Sequence, residues 1–178
     1  MTMPRSVEAA RRRAAPAGRW RPVQALQLCA TLALLTWAGL AGAAERGHLG
    51  LSGAGGDYTL RIEVAATADQ RARGLMARDS LPEDAGMLFL YRAEQPGSSA
   101  YWMYRTRIPL DIAFLGADGT IRALRTMPPC RAEMPSRCPA YAAGVAFRAA
   151  LETNAGYFAQ RGLGVGDRVD LGPWLAAP

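Results

Sequence analysis

From Tyr58 to Ala65 apolar and polar residues alternate without a break: Tyr58, Leu60, Ile62 and Val64 on one side, Thr59, Arg61 and Glu63 on the other. A period of two is the mark of a half-buried strand. Thr67 with Gln70 three residues on forms a capping box, predicting a short helix from Ala68 to Leu75 or Met76. Apolar runs at Met87–Tyr91, Ser98–Tyr104 and Asp111–Leu115 predict three more strands. Ala117-Asp118-Gly119 has hairpin chemistry, because Asp-Gly accepts the positive φ of tight turns, and Thr120–Thr126 is the returning strand. Beyond a proline-rich loop at 128–139, Val145–Glu152 reads as a strand. Asn154–Arg161 reads as a short helix stopped by Gly162, and Arg168–Leu171 as a last strand. Strands dominate, and no long crossover helices separate them. The expected fold is therefore mainly β with two short helices, an α+β domain built as a compact antiparallel β-barrel or sandwich.

The pattern before Tyr58 differs. Residues 1–24 are polar and arginine-rich, residues 25–40 are apolar, and Ala41-Gly42-Ala43 fits a small-residue cleavage site. This order predicts a signal peptide over 1–43. The apolar run is about 16 residues, short for a spanning helix. Residues 44–57 carry Gly47, Gly50, Gly53, Gly55 and Gly56 and read as a flexible leader, leaving 58–175 as one domain. The expected address is periplasmic or secreted, with no stable membrane insertion once the signal is removed.

Charge changes the picture only through its location. The formal net charge is +6, but six arginines and Glu8 put +5 within residues 1–43. The remaining +1 is too little for the basic stripe that neutralises phosphates, so nucleic acid is not an expected partner. All basic residues are arginine, which excludes lysine chemistry. His48, the one histidine, sits in the predicted leader. That removes the usual catalytic base and the usual zinc ligand, so no catalytic triad, metal site or cofactor is expected.

Four motifs in order carry a resemblance. Arg73-Gly-Leu-Met-Ala-Arg-Asp-Ser-Leu-Pro82 is followed by Gly86-Met-Leu-Phe89. Trp102-Met103 is followed by Ile108-Pro-Leu-Asp-Ile-Ala-Phe114. Leu151-Glu152, Asn154-Ala-Gly156 and Gly166-Asp-Arg-Val169 complete the set. Over about Leu60 to Leu171 the chain resembles the domain of unknown function number 192, DUF192. The resemblance implies a small β-rich fold and frequent export, and no established activity. One departure is Tyr104-Arg105, where the family commonly has Lys-Asn after its Trp-Met, so no role resting on that lysine or amide is carried over.

Candidate chemistry is sparse. Cys130 and Cys138 remain after cleavage and, in an exported loop, pair most simply as a structural disulfide. Asp111 opens an apolar strand, so a partner is expected for it: backbone amides, or an arginine such as Arg73 or Arg78. Glu152 is expected to cap the helix near Asn154; two carboxylates facing one cleft would instead serve as acid and base. In a strand, Trp102 and Tyr104 share one face and Tyr101 and Met103 the other, with core packing the first expectation for Trp102. Arg71, Arg73 and Arg78 read as a solvated helix face with Asp69 and Asp79. The functional expectation is a non-catalytic module of the cell envelope binding a small molecule, glycan or protein near Arg73, Trp102, Arg105, Asp111 and Glu152. The alternative is a histidine-independent hydrolase or lyase using Asp111 and Glu152.

Overall fold

The computed structural model describes residues 44–175. The signal peptide expected over 1–43 lies outside the described residues. Among them, nine strands and three short α-helices follow in the order β1 (Glu45–Gly53), β2 (Gly56–Ala65), α1 (Ala68–Arg73), β3 (Ala85–Gln95), β4 (Ala100–Trp102), β5 (Leu110–Leu115), β6 (Ile121–Met127), β7 (Ala140–Ala142), β8 (Phe147–Asn154), α2 (Tyr157–Gln160), β9 (Arg168–Val169) and α3 (Gly172–Leu175). None of these helices is long and apolar enough to cross a membrane. Seven strands form one curled sheet in the order β6-β5-β8-β3-β2-β1-β9, and β4 pairs with β7 in a separate ribbon. The large sheet is a half-barrel whose two edges touch at one corner, where Thr120 bridges to Arg168 and the Ile121 amide donates to the Asp167 carbonyl.

The mainly β, α+β character matches the sequence expectation, with three corrections. The glycine-rich leader is not a leader: Glu45–Gly53 is strand β1, paired antiparallel with β2 along its whole length. Its Leu49 and Leu51 are buried, and two apolar anchors at strand spacing outweigh the entropic cost of the glycines between them. Secondly, the sheet is not wholly antiparallel, since β2 and β3 run parallel, joined through α1. Thirdly, the described residues form three α-helices, α3 falling after the predicted last strand.

The sheet buries both faces. On one side Leu49, Leu60, Ile62, Val64, Leu88, Leu115 and Leu151 form a core. On the other, Phe89, Ile112, Phe114, Phe147 and Met127 form a second. Strand β5 is therefore buried at all six positions, which is why its sequence is nearly continuous in apolar residues and does not alternate. The β4–β7 ribbon lies over the second face. Its Tyr101 ring stands edge-on to Phe89 at 5.3 Å and to Phe114 at 5.7 Å between centroids. The capping box forms as predicted, with Gln70 N donating to Thr67 Oγ1 and Thr67 N to Gln70 Oε1.

Candidate functional site

The second face does not close completely. Where α1 approaches β3, β8 and β4, a cavity of about 220 Å³ remains. Residues 71–76 form one wall; Phe89, Tyr91 and Glu152 form the floor; Ala100, Tyr101, Trp102 and Thr106 form the other wall. Gly74 shapes the helix end: its φ is +48°, and a Cβ there would sit 3.4 Å from the Phe89 ring. A side chain at that position would be strained as well as crowded.

Glu152 sits on the central strand β8 opposite Met87 of β3 and Ile112 of β5. It is 5% exposed. Among the described residues it has neither a hydrogen bond nor an ion pair. Burial pushes its carboxyl up from 4.5 to about 8. Around it, the Tyr91 and Tyr101 hydroxyls share a hydrogen bond of 2.7 Å. Burial raises both phenols above their ordinary range. The Arg71 guanidinium lies over the Tyr91 ring, 4.7 Å from its centroid. Its Nη1 donates to the Ala66 carbonyl at 2.6 Å and the Leu90 carbonyl at 3.0 Å. This fixes the arginine at the cavity wall.

Of the five residues expected to form a site, three converge here: Arg73, Trp102 and Glu152. Arg105 does not. It lines a separate surface hollow with Arg107, Cys130 and Arg131, stacks on Tyr104 at 5.2 Å, and has a left-handed φ of 56°. Its carbonyl accepts from the Ala77 amide, so its backbone ties the loop after α1 to the loop after β4. Asp111 is also elsewhere. It opposes Thr153, one step from the Ile112–Glu152 pair, so its side chain leaves the other face of the sheet. Its Oδ1 accepts from Thr126 Oγ1 at 2.7 Å and its Oδ2 from the Gly156 amide at 2.8 Å.

Several expectations are thereby corrected. The acid–base pair of Asp111 and Glu152 is ruled out by register: the sheet stands between the two carboxyls. Glu152 caps no helix: it lies within β8, and α2 starts after Gly156 with no side-chain cap hydrogen bond. Trp102 is not core; it is 50% exposed at the cavity rim, while Met103 is buried. The arginines do not form one solvated face. Arg78 makes a bidentate pair with Glu63 at 2.6 and 2.8 Å, and Arg71 turns inward. Arg71 and Tyr91 were missed as site residues. For Tyr91 the signal was parity: it is two residues from Phe89 and four from Met87, on the same face of one strand; for Arg71, on α1, the local pattern carried none. Cys130 and Cys138 form the expected disulfide, with Cα atoms 5.7 Å apart. Among the described residues, no three of His, Cys, Asp and Glu cluster as a metal site would require.

The DUF192 family model, described as Uncharacterized ACR, matches residues 51–171. The chain belongs to the DUF192 family. Two solved structures are similar to this DUF192 protein. One, from Sinorhizobium meliloti 1021, is described as a "putative transcription regulator"; it is 31% identical, with a TM-score of 0.62, over 72% of this chain and 95% of that one. The other is a protein of unknown function from Novosphingobium aromaticivorans DSM 12444, 30% identical, with a TM-score of 0.63, over 74% of this chain and 89% of that one. Among curated proteins no relative matches. All four motifs of the resemblance fall within the matched span, and the Arg73–Leu75, Phe89, Trp102 and Glu152 positions within them line the cavity.

Proposed function

We propose that this DUF192 protein is an exported, non-catalytic binding module that takes a small polar ligand in the cavity between α1, β3, β4 and β8. One observation carries the reading: Glu152 is buried, with no hydrogen-bond or ion-pair partner among the described residues, inside an aromatic-lined cavity. A buried carboxyl that nothing satisfies costs stability. A concave site with few convergent polar groups is where a ligand supplies what the protein leaves unmatched. The half-exposed indole of Trp102 at the rim adds a flat apolar surface beside a polar floor.

The disulfide supports export, since such bonds persist in oxidising compartments. The name of the Sinorhizobium relative raises nucleic acid as a partner. The charge of +1 outside residues 1–43 argues against it, because phosphate neutralisation dominates such affinity.

A second reading treats Glu152 as a lone general acid, since a carboxyl with a pKa near 8 holds a transferable proton at neutral pH. The cavity lining offers it no second carboxylate, imidazole or thiol. Binding therefore ranks first.

The test is a tryptophan-fluorescence and thermal-shift screen of small polar molecules against the protein and an Ala100→Phe variant. Ala100 is exposed on the cavity wall, so a phenyl group there fills the mouth without disturbing a core. A ligand that shifts the wild type and not the variant supports the reading; ligands that act equally on both sink it. Export is tested by intact mass: expected is a chain beginning at Ala44 with Cys130 and Cys138 oxidised. Recovery of the full-length chain with both thiols free removes that part of the proposal.

A further inference from the structure

The polar groups of the cavity are divided by sign. The negative or neutral group is deep and the positive groups are at the wall and mouth. Glu152 lies on the floor and shares the cavity lining with Phe89, Tyr91 and Tyr101, with Trp102 at the rim. Aromatic faces attract cations, and an unpaired carboxyl beside them adds the matching charge. The hydroxyls of Tyr91 and Tyr101 use one hydrogen bond between themselves and keep oxygen lone pairs to accept others. Along the α1 wall stand two cations. Arg71 spends Nη1 on two backbone carbonyls, leaving Nη2 and Nε without an acceptor among the described residues. Arg73 has no hydrogen bond or ion pair among the described residues and is exposed. A simple amine would be drawn to Glu152 and repelled by the arginines. A simple carboxylate would meet the reverse. A neutral sugar would use neither charge.

We propose that the cavity takes a small zwitterion, its ammonium group against Glu152 among the aromatic rings and its carboxylate at Arg71 and Arg73. This rests on the reading of the cavity as a ligand site and names the ligand class. The volume of about 220 Å³ sets the size at a single amino acid or a betaine. Guanidinium groups suit the carboxylate end, because their planar N–H pairs match a carboxylate.

Binding is coupled to a proton. The titratable or charged groups that line the cavity with Glu152 are Arg71 and Arg73 from α1, Tyr91 from β3 and Tyr101 from β4, and of these the two phenols interact with it electrostatically. With its pKa near 8, Glu152 is mostly protonated at pH 7 in the empty cavity. An incoming ammonium favours the carboxylate, so the carboxyl O–H breaks, its proton passes to buffer, and the ligand binds the anion. Affinity rises as pH climbs from 6 towards 8 and levels off above.

Titration calorimetry of the full protein with glycine betaine and L-alanine, in two buffers of different ionisation heat, tests this. D-glucose and choline serve as comparators. Expected is binding of at least one zwitterion with release of up to one proton at pH 7, falling to none near pH 9. Glu152→Gln is expected to lose the proton release and at least tenfold in affinity; Arg73→Gln weakens the zwitterions selectively. Glucose binding without proton release overturns the zwitterion and leaves the ligand site standing. Choline binding as tightly as betaine overturns the arginine half. Equal affinity in Glu152→Gln overturns the role of the acid. No heat with any probe, together with failure of every molecule in the fluorescence screen, overturns both readings.

Discussion

Asp111 and Glu152 stand one register step apart on adjacent strands, and their side chains leave the sheet on opposite faces. That one step separates two acids into two kinds of work. Asp111 is 7% exposed and accepts from two donors; Glu152 is 5% exposed and accepts from none among the described residues. The first holds the turn from β8 into α2. The second is left to face a cavity.

Replacing Asp111 therefore harms the fold. Asp111→Ala removes the acceptor of the half-buried Gly156 amide and of the exposed Thr126 hydroxyl. Losing two hydrogen bonds to a charged acceptor costs about 2–3 kcal/mol. Urea denaturation of wild type and variant reads this directly as a lower midpoint with an unchanged slope. A variant as stable as wild type contradicts the assignment.

Glu152 gives the opposite sign and a pH dependence. Its folded pKa is about 8 against 4.5 unfolded, so the folded state holds the proton more tightly. The favourable contribution is complete below pH 4.5 and is lost as pH rises through 8, at a slope of at most about 1.4 kcal/mol per unit. Glu63 acts the other way. Its hydrogen bond to Arg78 holds its carboxyl below the ordinary range, so its contribution is lost as pH falls below about 4.5. Thermal unfolding from pH 4 to 9 is expected to show a decline between about pH 4.5 and 8. Glu152→Gln, which has no proton to lose, is expected to flatten that decline and to be more stable than wild type at pH 8. A wild-type profile flat from 5 to 8 sinks the prediction.

The disulfide supports the cavity at a distance. Cys130 and Cys138 close a short loop immediately before β7, and β7 pairs with β4, which carries Tyr101 and Trp102. On the chain-entropy model, a nine-residue loop contributes about 2.6 kcal/mol. The double variant Cys130→Ser, Cys138→Ser is expected to lose about that much, read by denaturant unfolding. It is also expected to show faster amide exchange in 100–102 and 140–142 than in β5 or β8. Uniform exchange across both sheets would show that the loop does not brace the ribbon.

What was legible in the sequence follows from locality. The alternation of Tyr58 to Val64 and the Thr67–Gln70 box are set by neighbours within a few residues, and both are observed. Strand β1 was hidden because five of residues 44–57 are glycine, and its pairing with β2 is a tertiary fact. The parallel step between β2 and β3 was hidden for the same reason: α1 is too short to advertise a crossover. Three of five candidate site residues meet at the cavity because their motifs mark the elements around it. Asp111 was misplaced with Glu152 because motif membership carries no parity across strands. Only register could reveal that.

Trp102 offers the sharpest contrast between packing and binding. The strand pattern allows either the Tyr101–Met103 face or the Trp102–Tyr104 face to be core, and bulk alone favours the indole. The structure buries Met103 to 1% exposure and leaves Trp102 at 50%, with its ring 6.3 Å from Tyr104. Truncating a buried tryptophan costs about 3–5 kcal/mol. At this rim, Trp102→Ala is expected to cost less than about 1 kcal/mol, in keeping with surface positions. The same change removes the flat wall beside Glu152, so a ligand that occupies the cavity is expected to bind at least several-fold more weakly. Chemical denaturation and ligand titration on one protein preparation separate the two effects. A loss of several kcal/mol in stability would return Trp102 to the core, and unchanged affinity for a cavity ligand would remove it from the site.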